Sequence, residues 1–113
     1  MRPESRAFVW DACQAADRVA RFVAGKTLEN YIADELLRSA VERQLEIVGE
    51  ALAAFRRSDP DDAVAIPDLP RAVALRNILI HRYATVNDRI VWGIVAVDLP
   101  TLRTILRRLL EGA

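Results

Sequence analysis

Histidine, cysteine and lysine each occur once in this chain, at His81, Cys13 and Lys26. A lone cysteine excludes an intramolecular disulfide, and one cysteine beside one histidine offers no set with metal-ligand spacing. No metal or cofactor is therefore expected, and Cys13 reads as core filler on the first helix. Four glycines and 6% aromatic residues are too few for the many turns of a β-rich fold, and they point to helices. Neither charge sign dominates: sixteen basic residues stand against sixteen acidic ones. The field of the whole molecule thus predicts neither a DNA-coating protein nor a membrane-surface one, and any nucleic-acid contact needs a local basic patch. The longest uncharged apolar run, IVWGIVAV at 90–97, is far too short to span a bilayer. The opening MRPESRAFVWDACQAADRVARF is charged throughout and does not read as a signal peptide. The expectation is a cytoplasmic protein without a membrane segment.

What is present suits one compact helical domain over 1–113, with 52% hydrophobic and 28% charged residues. Ala12, Ala16, Val19 and Val23, with Phe8 and Phe22 alongside, recur at three- and four-residue steps and predict a first helix over 5–24. Gly25 and Lys26 interrupt it. Thr27 is the expected N-cap of a long second helix, whose apolar stripe runs through Tyr31, Leu37, Val41, Leu45, Val48, Leu52 and Phe55 and ends at Arg56 and Arg57. Gly49 in its middle suggests close helix packing. Ser58 to Asp62 is the clearest loop. Asp68 and Pro70 open a third helix at roughly 68–82, and Asn87 caps a fourth from Asp88. Pro100 either kinks that last helix or, with Asp98 as N-cap, starts a fifth. The sum is an all-α, up-and-down bundle of four or five helices.

The third helix carries the chemistry. Ala72, Leu75, Ile78 and Leu79 gather on the face expected to meet the core. Asn77 and His81 stack nearly opposite, with Val73 and Ile80 nearby, and Arg76 sits between the faces. His81 and Tyr83 would diverge by about 160° on a continuous helix, so they converge only if the helix stops near His81. Thr85 and Val86, before Asn87, supply a stop. Arg71, Arg76, Arg82 and Arg89 against Asp88 make a basic island with a segment charge of +3, suited to phosphate. From these residues alone, a surface hydrogen-bonded pair and a site are both open readings. Glu42 and Glu46 on the second helix either add polar contacts to a site or serve as helical partners of arginines such as Arg38 and Arg43.

RNILIHRYATVNDRIVW at 76–92 resembles the signature of the HepT-like branch of the HEPN superfamily: Arg-Asn, a short apolar stretch, His-x-Tyr, then Val-Asp and Val-Trp. RSAVERQLEIVGEAL at 38–52 resembles that family's second helix, and VDLPTL at 97–102 its Asp-Leu-Pro-x-Leu element. The resemblance covers about 38–106. Two departures stand out. Ile66-Pro67 replaces the aromatic frequent before the histidine-bearing helix, and Asn87, followed by Asp88, replaces an aspartate.

The resemblance implies a HEPN-like helical bundle and the toxin half of a type II/VII-like toxin–antitoxin pair. It implies a homodimeric, metal-independent endoribonuclease that cleaves RNA by attack of the 2′-OH. Its partner would be an MNT-type nucleotidyltransferase antitoxin that attaches AMP to Tyr83. Arg76, Asn77 and His81 are the implied catalytic residues, Tyr83 the modification and phosphate-positioning residue, and Val73 with Ile80 the expected dimer face. The alternative is a non-catalytic HEPN module that binds a nucleotide or the transferase. The residue types suit cleavage. An imidazole with a pKa of about 6.5 moves protons near neutrality, and a guanidinium fork matches phosphate oxygens. One histidine serves two proton transfers only if two chains line one cleft.

Overall fold

The structure, a computed structural model, describes residues 1–81 and 86–112, and among them it is helical without strands. Helix α1 (Pro3–Val23) starts on a proline, whose missing N–H costs nothing at a helix start. It buries Val9, Ala12, Cys13, Ala16 and Val19 against α3 and touches α7 near the end of the chain. Burial pushes the Cys13 thiol up, Asp17 adds to the shift, and Arg107 opposes it. A thiol held protonated inside the core is a packing residue.

The expected long second helix is two helices. Thr27 caps α2 (Leu28–Ala33) in a reciprocal capping box with Asn30. The chain then breaks at Asp34, which adopts extended φ and ψ of −112° and 97° and accepts from Leu37 N to cap α3 (Glu35–Ser58). A short carboxylate competes with the helical backbone for its own donors, so it interrupts a helix and caps the next one. Tyr31, expected on the long stripe, sits on α2 and is fully buried, its ring 5.4 Å from that of Trp92. The rest of that stripe, from Leu37 to Phe55, lines the core as expected.

The 58–62 loop holds one helical turn, α4 (Pro60–Ala63). Helix α5 (Leu69–His81) begins directly after Asp68, whose carbonyl accepts from Ala72 N. It packs along α3. Asn87 caps α6 (Asp88–Gly93) by accepting from Arg89 N and Ile90 N. Between α6 and α7 (Leu99–Glu111) the chain neither stops nor makes a fresh cap. Asp98 is helical and makes no side-chain cap, and residues Ile94–Asp98 form a π turn closed by Leu99 N–H on the Ile94 carbonyl. The proline ring would strike the carbonyl four residues back, and a wider turn just before it relieves that conflict. No helix among the described residues is long and apolar enough to cross a membrane.

Candidate active site

Helix α5 presents two flanks. Leu69 and Leu79 are buried, and Ala72, Val73 and Leu75 are partly buried against the core. Ile78, expected on the core face, is 52% exposed, and Ile80 is 40% exposed. The helix is apolar around most of its circumference, so periodicity does not rank its faces. Contact with α3 does, and it turns Ile78 outward. Val73, expected beside Ile80 on a free dimer face, instead packs against the core, which leaves Ile80 as the exposed member of that pair.

The contact that sets this orientation is at Gly49 of α3. A Cβ there would lie 2.2 Å from Arg76 Cβ and 2.8 Å from the Ala72 carbonyl oxygen. Only a residue without a side chain lets the two helices approach this closely. The consequence is local: the root of the Arg76 side chain rests on the α3 backbone.

From that root the guanidinium reaches two partners. Nη1 donates to Asn77 Oδ1 at 2.9 Å, and Nη2 stands 3.8 Å from Glu50 Oε1. Nε is buried and has no hydrogen-bond partner among the described residues. Arg76 is about two-thirds buried, with its side chain 29% exposed, while Glu50 remains half exposed. Asn77 and His81 lie one turn apart on the solvent side, and α5 is described as far as His81, so the stop expected beyond it lies outside the described residues. Arg76 and Asn77 are therefore joined, and His81 follows on the same exposed side of the helix. Tyr83 and Arg82 lie outside the described residues.

The basic island is offset by acids from other elements. Arg71 pairs with Asp98 at 3.1 Å and with Asp68 at 3.9 Å, and Arg76 faces Glu50. Arg38 meets Asp88 at 3.8 Å and the Ile32 carbonyl, while Arg43 pairs with Glu46 at 3.1 Å. Glu46 thus takes the helical-partner role. Glu50, the carboxylate beside Arg76, is not among the candidates that the sequence singles out. Its signal was the four-residue ladder Glu42, Glu46, Glu50, which places a third carboxylate on the same side of α3.

Glu50 also edges a shallow groove of about 300 Å³ between α1 and α3, lined by Phe8, the half-exposed Trp10, Gln14, Arg18 and Ile47. Among the described residues, no group of three or more His, Cys, Asp or Glu is placed to hold a metal ion. The arrangement can hold an anion at Arg76 and transfer a proton at His81.

The family described as "Ribonuclease HepT-like" matches residues 12–109. The "Putative RNase MJ1380" of Methanocaldococcus jannaschii is 35% identical over 100 residues, which is 87% of this chain and 89% of that protein. The "Probable ribonuclease HepT" of Thermococcus cleftensis is 31% identical over 106 residues, 91% of this chain and 93% of the relative. No solved structure matches the chain.

Proposed function

The chain belongs to the HepT-like ribonuclease family, and from that premise we propose that Arg76, Asn77 and His81 are the cleavage site of a metal-independent endoribonuclease. The observation that carries this reading is the Arg76–Asn77 pair set one turn before His81 on the exposed side of α5.

RNA supplies its own nucleophile. His81 takes the 2′-OH proton, and the oxygen attacks the adjacent phosphorus. Arg76 stabilises the charge that builds on the phosphorane oxygens. The leaving 5′-oxygen then takes a proton, and the products are a 2′,3′-cyclic phosphate and a 5′-OH. The second proton comes from His81 of a second copy, in a two-fold dimer whose α5 faces meet and bury Ile80. General acid–base transfer of this kind contributes roughly 10²- to 10⁴-fold.

In this reading the enzyme is the toxin of a toxin–antitoxin pair. An MNT-type nucleotidyltransferase silences it by attaching AMP to Tyr83. The phenol oxygen attacks the α-phosphorus of ATP, and pyrophosphate leaves. The adduct adds an anion and bulk two residues from His81, where it competes with RNA for Arg76.

The test is cleavage of a defined RNA by purified protein in EDTA. Wild type should cut RNA, should leave the all-DNA strand intact and should leave cyclic phosphate ends. His81→Ala should lose on the order of 10²-fold or more. Arg76→Lys should restore only part of what Arg76→Ala loses, since an ammonium has no fork. Activity that returns only with Mg²⁺ would overturn the mechanism. Incubation with the transferase and ATP should add AMP at Tyr83 and block cleavage. An adduct on Tyr31, or none, would overturn that assignment.

A further inference from the structure

We propose that Glu50 is a positioning residue for Arg76: its carboxylate fixes the plane in which the guanidinium offers its remaining N–H groups to phosphate. This rests on the reading above, in which Arg76 meets the scissile phosphate.

A guanidinium has five N–H donors in a rigid fork. Three constraints act on that of Arg76. Its side-chain root is pinned, because α3 has only the Gly49 backbone where a Cβ would lie 2.2 Å from Arg76 Cβ and 2.9 Å from Cγ. The Nε–H points into a buried place with no acceptor among the described residues, so it is not available to substrate. The two terminal nitrogens are flanked from opposite helices, Nη1 by Asn77 Oδ1 at 2.9 Å and Nη2 by Glu50 Oε1 at 3.8 Å. At 3.8 Å the Glu50 carboxylate holds Nη2 by charge and not by a hydrogen bond, so Nη2 keeps its N–H groups for a phosphate, and Nη1 keeps the one that Asn77 does not take.

Asn77 alone does not set the plane of the fork. It is the next residue on the same helix, and one hydrogen bond leaves the fork able to pivot about Nη1. Glu50 comes from another helix and supplies the second point. The ion pair is half exposed at its carboxylate, so it adds little to folding. Its value lies in orientation.

The carboxylate also has a cost, because it lies close to where the phosphate binds and repels it. Removal of the Glu50 charge should therefore affect the two kinetic constants differently. A guanidinium free to pivot binds phosphate as well or better, yet grips the transition state less well.

Glu50→Gln keeps the shape and removes the charge. In the full-length protein, kcat for the defined RNA should fall about tenfold while KM stays the same or drops. Glu50→Asp should recover part of the loss. An unchanged kcat, or a loss confined to a raised KM, overturns the proposal.

A second measurement needs no cleavage. In ¹⁵N NMR of the arginine side chains, the Arg76 Nε–H signal should be rigid and slow to exchange in wild type, and mobile in Glu50→Gln. An identical signal in both proteins overturns the proposal even if RNA is never cut. Wild type that fails to cleave, with the NMR change present, counts against the proposed function and leaves the positioning role standing.

Discussion

Replacement of Gly49 by alanine sets two magnitudes against each other. Alanine in the interior of an exposed helix gains roughly 1 kcal/mol over glycine. At position 49 the new methyl would lie 2.2 Å from Arg76 Cβ, 2.9 Å from Cγ and 2.8 Å from the Ala72 carbonyl oxygen. Carbon atoms pack at about 3.5–4.0 Å, so α3 and α5 must part by more than 1 Å at this point. The colliding atoms are backbone and the root of a side chain, which a rotamer change does not move. Overpacking of this kind costs about 1–3 kcal/mol. The net expectation for Gly49→Ala is a loss of about 0–2 kcal/mol, at roughly 4–8 °C in Tm per kcal/mol for a domain of this size. Activity should fall further than stability, because the displaced residue is Arg76. A misplacement of about 1 Å at a catalytic group costs up to about 10²-fold. Thermal unfolding followed by circular dichroism, with RNA cleavage well below Tm, measures both. A variant with a raised Tm and full activity would refute the reasoning, since the propensity gain would then stand with no steric cost against it.

Tyr31→Phe should be no less stable than wild type near neutral pH, because the Tyr31 hydroxyl is buried without a hydrogen-bond partner among the described residues. Burial first, and the charges of Glu42 and Asp88 next, hold the Tyr31 phenol above its ordinary value, against the pull of Arg38. The folded state then keeps a proton that the unfolded chain gives up above about pH 10, so wild type loses stability as pH rises past that point and the variant does not. Urea melts at about pH 8 and about pH 11 should show the gap widening in favour of Tyr31→Phe; a constant gap would argue that Tyr31 ionises as freely folded as unfolded. Asp34→Ala removes the acceptor for Leu37 N and should cost about 1 kcal/mol in urea unfolding. A gain in both helicity and stability would mean that α2 and α3 prefer to fuse. Ile80→Glu should weaken self-association in sedimentation while the far-ultraviolet spectrum stays that of the fold. Val73→Glu should lower Tm instead, since Val73 packs on the core.

The amphipathic stretches were legible because their apolar positions repeat over many turns. From Leu37 to Phe55 and from Ala12 to Val19, pattern and burial coincide. Caps were legible where one side chain decides the outcome, as at Thr27 and Asn87. The break at Asp34 was not, because the apolar stripe continues through it. A carboxylate in a helical pattern is either an exposed helix residue or a cap, and only the path of the chain chooses between them. On α5, Val73, Leu75, Ile78, Leu79 and Ile80 spread apolar character around the helix, so no pattern could tell that Ile78 faces out. That choice is made at Gly49, on a different helix. The candidate residues Arg76, Asn77 and His81 could be picked out because they are close in the chain. Glu50 could not be joined to them, since the pair exists only once two helices pack.

The π turn at Ile94–Asp98 makes the last helical run one residue longer than its buried stripe requires. Val91, Val95, Leu99, Leu102 and Leu106 all reach the core. On a regular α-helix the eight residues from Val91 to Leu99 would swing the stripe by about 80°, whereas seven would swing it by only about 20°. The wide turn takes up the surplus residue. Loss of one residue between 94 and 97 would therefore tighten this turn into ordinary helix and leave both flanking segments in phase. The same loss within α7 would rotate everything after it by about 100° and turn its leucines toward water. A one-residue deletion in this stretch should therefore spare the buried stripe at the cost of a crowded Pro100, whereas one inside α7 should expose its leucines.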